Sequence, residues 1–200
     1  YIGYAAYVLS AFFVWNRLEI GNNDIYLYKE FLKGNNEAFN EIIKIYRKKL
    51  IYFIYQYVNN IDIAEDISQD TFVYILINKT EFDFKYPLKT YIYTIAKCRA
   101  LNHIKKYKKE EQLDGSVYKL STDIEIDTDL LSKENKKEIW ESMGKLPEKY
   151  RTVLYLKYFE NFKYKEICTI LNKPMPQVKV LLHRAKKMVE KSLKKEEFIC

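Results

Sequence analysis

The amino-acid sequence predicts an all-α protein of two small helical domains joined by a flexible acidic linker. In both halves, apolar residues recur at intervals of three and four, which is the spacing of one helix face. Glycine and proline, which all-β folds need for frequent turns, number only 5 and 4 in 200 residues. An acidic stretch without this apolar spacing separates the halves. The expected segments are an N-terminal extension (1–23), a first domain (24–109), the linker (110–133) and a second domain (134–197).

The first 16 residues carry no charge and are mostly apolar or aromatic. They are slightly short of the about 20 residues that a membrane span needs. No basic residue precedes them and no small-residue cleavage site is evident, so a signal peptide is not expected. The alternatives are an extension or fragment start, a packing helix and a membrane contact, and residues 1–23 receive no role.

Three helices are expected in the first domain. The first follows the apolar stripe between Phe39 and Tyr57, the second runs from Ile63 to Ile77, and the third runs from Leu88 to Lys108. Phe82–Pro87 is expected to be a loop, because proline cannot continue a helix but is tolerated in the first turn of the next one.

The linker is defined by charge and by missing periodicity. Residues 110–134 contain eight acids and two bases, a net charge of −6. Because the whole chain has a net charge of +7, the remaining residues together carry +13. Two basic domains joined by an acidic linker suggest that a polyanion binds to the domains and not to the linker.

A helix-turn-helix is expected in the second domain. Pro147 opens one helix, Tyr164–Leu171 forms the next, and Asn172-Lys173-Pro174 forms a tight turn. Pro176 can take the first position of the last helix, where its missing N–H costs nothing. The apolar stripe of that helix consists of Val178, Leu181, Leu182, Ala185, Met188 and Val189.

The outward face of the last helix carries candidate DNA contacts. In a helix-turn-helix the second helix lies in the major groove, where Gln suits adenine and Lys suits guanine, while other bases suit phosphates. The alternative is a solvated basic face on an ordinary helical bundle. The candidates are Gln177, Lys179, Val180, His183, Arg184 and Lys187.

Cysteine and histidine usage argues against metal and disulfide chemistry. The three cysteines are odd in number and none forms a CxxC pair, so neither a disulfide framework nor a zinc site is expected, and a reducing cytoplasm is the simplest compartment. The two histidines, His103 and His183, have no partner cluster, and the sequence contains no phosphate-binding glycine loop or nucleophile elbow.

Six short motifs resemble those of bacterial sigma factors of the extracytoplasmic-function type within the sigma-70 family, including relatives that regulate clostridial toxin genes. In the second domain, LPEKYR, FKYKEI and VKVLLHRAKK, which begin at residues 146, 162 and 178, resemble region 4. In the first domain, GNNEAF, AEDISQDTF and TYIYTIA, which begin at residues 34, 64 and 90, resemble region 2. The resemblance implies an alternative sigma factor that has no catalytic activity and no cofactor.

The resemblance also implies partners and docking residues. It implies binding to core RNA polymerase, at the clamp helices of the largest subunit and the flap of the second-largest subunit, to promoter DNA, and a candidate anti-sigma factor. From the residues alone, the acids Asp62, Glu65, Asp66 and Asp70 could be a metal cluster or a solvated face. By resemblance, the docking candidates are Asp66, Gln69, Asp70 and Phe72.

Promoter opening requires groups that prefer unstacked bases, and aromatic rings provide them. The loop at 82–87 stands where the family captures a flipped minus-10 base, although Phe82 is the ring most expected to be core. A basic run follows and can hold strand phosphates. By resemblance, the minus-10 candidates are Phe84, Tyr86, Tyr91, Lys97, Arg99, Asn102, Lys105 and Lys106, and the outward face of the last helix reads the minus-35 element.

Two other classes of protein remain as alternatives. A stand-alone helix-turn-helix regulator would bind DNA without docking to polymerase, but it has no use for the AEDISQDTF run. A membrane-anchored interaction protein depends only on the apolar start of the chain.

Overall fold

The structure, a computed structural model, describes residues 23–114, Trp140 and residues 142–197, and within these ranges it is helical without strands. Its contacts divide the chain into two units, the first with the helices before the linker and the second with most of the others. The helices of the first unit are α1 Asn23–Leu32, α2 Asn36–Val58, α3 Ile61–Ile77 and α4 Leu88–Asp114, with a short 3₁₀ turn Lys79–Glu81. Those of the second unit are α5 Glu148–Leu154, a π-helical segment Tyr155–Phe159, α6 Tyr164–Leu171 and α7 Met175–Glu197.

The core of the first unit lies between α2 and the three helices around it. Phe53 and Ile54 of α2 and Ile92 of α4 are fully buried. Adjacent asparagines make the tight connection between α2 and α3: Asn59 ends α2 in the left-handed conformation, and the Asn60 side chain caps α3 by accepting from the Ile63 backbone N–H. These caps fix the position at which α3 begins.

The predicted helices of the first unit are confirmed, with different ends. Helix α3 starts at Ile61, two residues earlier than expected, because Asn60 is its cap. Helix α4 continues to Asp114, beyond the expected end at Lys108, so residues 110–114 at the start of the predicted linker are helical. Helix α1 was not expected as a separate element. The proposed extension up to residue 22 and residues 115–133 of the linker lie outside the described residues.

In the second unit, the turn between α6 and α7 has the expected residues. Asn172 adopts a positive φ of 51°, which asparagine tolerates better than most residues. Helix α7 begins at Met175, so Pro176 takes its second position and not the first. The consequence is the same, since the first four N–H groups of a helix have no intrahelical acceptor. The π-helical segment was not predicted.

None of the helices in the described ranges has both the length and the apolar character that a bilayer crossing requires.

Candidate polymerase and nucleic-acid interfaces

The outer face of α3 combines acidic and apolar side chains. Its inner face is buried at Ala64, Ile67, Thr71 and Ile75. The opposite face begins with exposed polar residues and continues with exposed apolar ones. This outer face comprises Asp66, Gln69, Asp70, Val73, Leu76 and Ile77.

Phe72 is a correction to the predicted docking residues. Its ring is only 5% exposed and meets the Phe39 ring of α2 edge-on at a centroid distance of 6.5 Å. It therefore anchors α3 to the core, and almost none of its ring is available to a partner.

Three apolar residues that sequence reasoning missed lie on this surface instead. Val73, Leu76 and Ile77 are 51%, 45% and 73% exposed. They follow Asp66 and Asp70 at helical spacing, so acids and apolar groups form one continuous strip. Their signal was available in the sequence, because these positions fall outside the inward stripe of α3.

The aromatic residues between α3 and α4 are divided between the core and the surface. Phe82 is 4% exposed and packs edge-on against Tyr28 at 5.1 Å, which confirms it as core. Phe84 packs against Phe82 at 4.6 Å but stays 40% exposed, and Tyr86 is 53% exposed. The loop thus presents two rings on a buried aromatic base.

Phe84 is held in an uncommon backbone conformation. Its φ is +59°, whereas the other non-glycine residues with positive φ in the described ranges are all asparagines. The left-handed region costs a residue with a Cβ roughly 1–2 kcal/mol. Asp83 and Lys85 bracket Phe84, since the Asp83 carboxylate accepts from the Lys85 backbone N–H at 3.1 Å and pairs with its ammonium at 2.7 Å. These bonds lower the pKa of Asp83, with the contact to the Lys85 ammonium as the larger cause.

Tyr91, the first aromatic residue of α4, packs beneath this loop and is less exposed than Phe84 and Tyr86. Its ring lies 5.0 Å from that of Phe82, and its hydroxyl is buried without a hydrogen-bond partner. Burial, with a smaller contribution from Glu81, raises the pKa of Tyr91 to about 12. Its ring is therefore only partly exposed, unlike those of Phe84 and Tyr86.

The basic run of α4 does not form a single strip. Tyr91, Asn102 and Lys105 share one face, because they are separated by eleven and three positions. Lys97 and Arg99, two positions apart, lie on opposite flanks. The Arg99 guanidinium lies over the Tyr74 ring of α3, 4.9 Å from its centroid. The exposed side chains among the candidates of α4 are those of Asn102, Lys105 and Lys106.

Helices α6 and α7 are fixed by contacts near the turn. The Glu166 carboxylate accepts from the Lys163 backbone N–H at 2.6 Å and caps α6. The Lys186 ammonium of α7 lies 5.2 Å from the centre of the Tyr158 ring. Burial lowers the pKa of Lys157, whose ammonium donates to the Phe162 carbonyl. Lys157 therefore links the π-helical segment to the residues just before α6, and Lys186 links α7 to the π-helical segment.

The outward face of α7 is as the sequence predicts. Val178, Leu182 and Ala185 are buried, while Leu181 and Val189 are partly buried and Met188 is 37% exposed. All the DNA candidates on this helix are exposed, namely Gln177, Lys179, Val180, His183, Arg184 and Lys187. Since α7 contains no acid before Glu190, this face is uniformly basic or neutral.

Comparison with known proteins decides what this pair of helical units is. Residues 42–110 match the family described as Sigma-70 region 2, and residues 136–189 match Sigma-70, region 4. The chain is 33% identical over 176 residues to the ECF RNA polymerase sigma factor SigW of Bacillus subtilis, covering 83% of this chain and 94% of SigW. The chain belongs to the extracytoplasmic-function (ECF) sigma factors. As an alternative sigma factor, it directs transcription initiation by RNA polymerase from promoter DNA.

Further relatives support this placement. The ECF RNA polymerase sigma-E factor of Haemophilus influenzae is 26% identical, with 84% of this sigma factor and 93% of that protein covered. Among solved structures, the sigma factor RpoE of Bartonella quintana, in complex with the anti-sigma factor NepR, has a TM-score of 0.68 at 21% identity, covering 79% of this chain and 98% of RpoE. CnrH, in complex with the cytosolic domain of CnrY, has a TM-score of 0.63 at 17% identity, covering 87% and 99%. The two structural likenesses show a shared fold.

Proposed function

We propose that this sigma factor docks on core polymerase through the outer face of α3, with the clamp helices of the largest subunit as its partner. The observation that carries this proposal is the strip in which Asp66 and Asp70 continue into exposed Val73, Leu76 and Ile77. An exposed apolar patch next to a charged one is typical of a protein interface. Carboxylates select a basic partner and guide its approach, while burial of the apolar groups provides affinity.

Promoter opening is assigned to the aromatic loop and the exposed face of α4. Phe84 and Tyr86 offer exposed rings to unstacked minus-10 bases, and each stacked base contributes about 1–3 kcal/mol. The exposed Lys105 and Lys106 are assigned to strand phosphates, and the exposed Asn102 is assigned to a base edge. Tyr91 and Arg99 support this surface from beneath through Phe82 and Tyr74.

Minus-35 recognition is assigned to α7, which enters the major groove with its exposed face. Gln177 and Lys179 are placed on its first turns, where base edges are read, and Arg184 and Lys187 follow toward the phosphates. The flap of the second-largest polymerase subunit is the proposed partner of the second unit.

The remaining assignments follow from this role. The chain carries no reaction of its own, because catalysis belongs to core polymerase. The cytoplasm is its proposed compartment. An anti-sigma factor is a further proposed partner, since RpoE of Bartonella quintana was solved with one.

Transcription in vitro with purified core polymerase on genomic DNA fragments tests the proposal. The full chain should direct specific initiation from a subset of fragments. A stand-alone regulator would bind fragments without core polymerase and would not start transcripts. DNA binding with no association to core polymerase would contradict the docking proposal.

A further inference from the structure

Val180 occupies an unusual place for an aliphatic side chain. It is 48% exposed on α7, although Val178, Leu182 and Ala185 already form the packing face of that helix. Val180 therefore lies outside the packing face of α7. Its two methyl groups are therefore available to a partner, and covering them would add favourable apolar burial to binding.

The surroundings of Val180 indicate the kind of partner. His183, Arg184 and Lys187 follow it at three, four and seven positions, so all four share one exposed face. Gln177 lies one turn before it. Two cationic side chains, those of Arg184 and Lys187, share this face with Val180 and His183, and α7 has no acid before Glu190, which suits a polyanion and not a second apolar protein surface.

We infer that Val180 contacts the 5-methyl group of a thymine in the minus-35 element, and that this methyl group is a specificity determinant of the promoters. In the major groove, the thymine methyl is the base-edge group that an aliphatic side chain recognises. Valine is stiff at χ1 in a helix, so its methyl groups are already ordered before binding. The inference rests on the proposed placement of α7 in the major groove.

The charges on the same face have a different task from that of Val180. Arg184 and Lys187 attract any duplex, because phosphate contacts carry no sequence information. A valine adds no charge and no hydrogen bond, so its contribution must depend on which base stands opposite. A promoter with cytosine at that position offers an amino donor and no methyl group, and Val180 cannot pair with it.

The test removes single methyl groups from the DNA. A promoter duplex is recovered by transcription of genomic fragments with the full chain and core polymerase, and each minus-35 thymine is replaced in turn by deoxyuridine. One replacement should weaken holoenzyme binding about fourfold, which corresponds to the loss of one buried methyl group. With Val180→Ala, wild-type DNA should bind more weakly by a similar factor, and the deoxyuridine replacement should have no further effect.

Met188→Ala provides a matched control, because Met188 is also an exposed apolar residue of α7, at 37%, but lies toward the packing face. That variant should keep the full response to deoxyuridine. Val180 lies outside the packing face of α7, so Val180→Ala should preserve folding, and circular dichroism checks this.

Two results would overturn the inference alone: specific promoter binding that no deoxyuridine replacement weakens, or a deoxyuridine effect that persists in Val180→Ala. Failure of the holoenzyme to bind any minus-35 sequence specifically would overturn the proposed function together with the inference. Holoenzyme binding to unmodified promoter DNA, measured before any thymine is replaced, reveals this outcome.

Discussion

The Tyr46 hydroxyl of α2 donates a 2.6 Å hydrogen bond to the Asp24 carboxylate of α1, and both residues are buried. Asp24 is 4% exposed and its other oxygen accepts from the Ile25 backbone N–H at 2.7 Å. A hydrogen bond to a charged group contributes about 1.5–3 kcal/mol. This bond therefore attaches α1, which carries Tyr28 and Lys29, to the rest of the first unit.

Tyr46→Phe should lower the free energy of unfolding of the first unit by about 1.5–3 kcal/mol, because it leaves a buried carboxylate short of a donor. Urea titration followed by circular dichroism measures the effect. Tyr26→Phe, at a residue of α1 that is 60% exposed, is the control and should leave the midpoint unchanged. If Tyr46→Phe unfolded at the same urea concentration as Tyr26→Phe, the bond between Tyr46 and Asp24 would not contribute to stability.

Tyr91→Phe tests the buried hydroxyl beneath the aromatic loop. At pH 7 it should raise stability by about 1 kcal/mol or leave it unchanged, since it removes an unsatisfied buried polar group. The pKa of Tyr91 is raised to about 12, so the folded state favours the protonated phenol. Below about pH 10 the phenol is neutral in the folded and unfolded states, and as the pH rises from about 10 to about 12 it ionises only in the unfolded chain, which lowers the free energy of unfolding. The wild type should therefore lose more stability than Tyr91→Phe across this window, and parallel unfolding curves would contradict the assignment.

Charge reversal at Asp66 and Asp70 tests the docking strip. Lysine at both positions should repel a basic partner, so core polymerase affinity should fall, while binding of minus-35 duplex by the full chain persists. Titration against labelled core polymerase measures the effect. Glu41→Lys reverses an exposed carboxylate on α2 and should change core affinity little.

A second variant, Ile77→Ser, tests the apolar part of the strip and should also weaken binding to core polymerase. Phe72→Ala should instead unfold the domain, because Phe72 is buried.

Lys179→Ala and Arg184→Ala separate base reading from phosphate contact on α7. A lost base contact should cost about 1–3 kcal/mol and relax base preference at one position. A lost phosphate contact should reduce the salt dependence of binding by about one unit without changing preference. Holoenzyme titrations of minus-35 variants at several salt concentrations distinguish the two. Unchanged affinity and selectivity in both variants would mean that another element reads the DNA.

Sequence reasoning located most helices because their boundaries have local causes. Asn172-Lys173-Pro174 ends α6 at the predicted residue, and Pro87 marks the start of α4. It failed where only tertiary packing decides. Helix α1 is short and depends on Asp24 being buried against Tyr46, a contact between residues that are 22 positions apart.

The candidate sites show the same division. Helical periodicity correctly put Gln177, Lys179 and His183 on the surface. A family motif, by contrast, does not distinguish an exposed residue from the core residue next to it, which is why the buried Phe72 and not the exposed Val73 was predicted as a docking residue. The left-handed Phe84 could not be predicted either, because nothing in the local sequence indicates a positive φ at a phenylalanine.

Promoter opening by Phe84 and Tyr86 is the central claim, and permanganate reactivity of minus-10 thymines in the holoenzyme complex tests it most directly. The matched variants are Phe84→Leu with Tyr86→Leu, which keep apolar bulk but cannot stack, and Phe84→Trp with Tyr86→Phe, which keep aromatic faces. The leucine pair should bind duplex promoter nearly normally in the closed complex and lose thymine reactivity, because each stacked base contributes about 1–3 kcal/mol. The aromatic pair should retain reactivity, and a pre-melted bubble template should restore transcription by the leucine pair. A folded leucine pair that opens duplex promoters as well as the wild type would contradict the account.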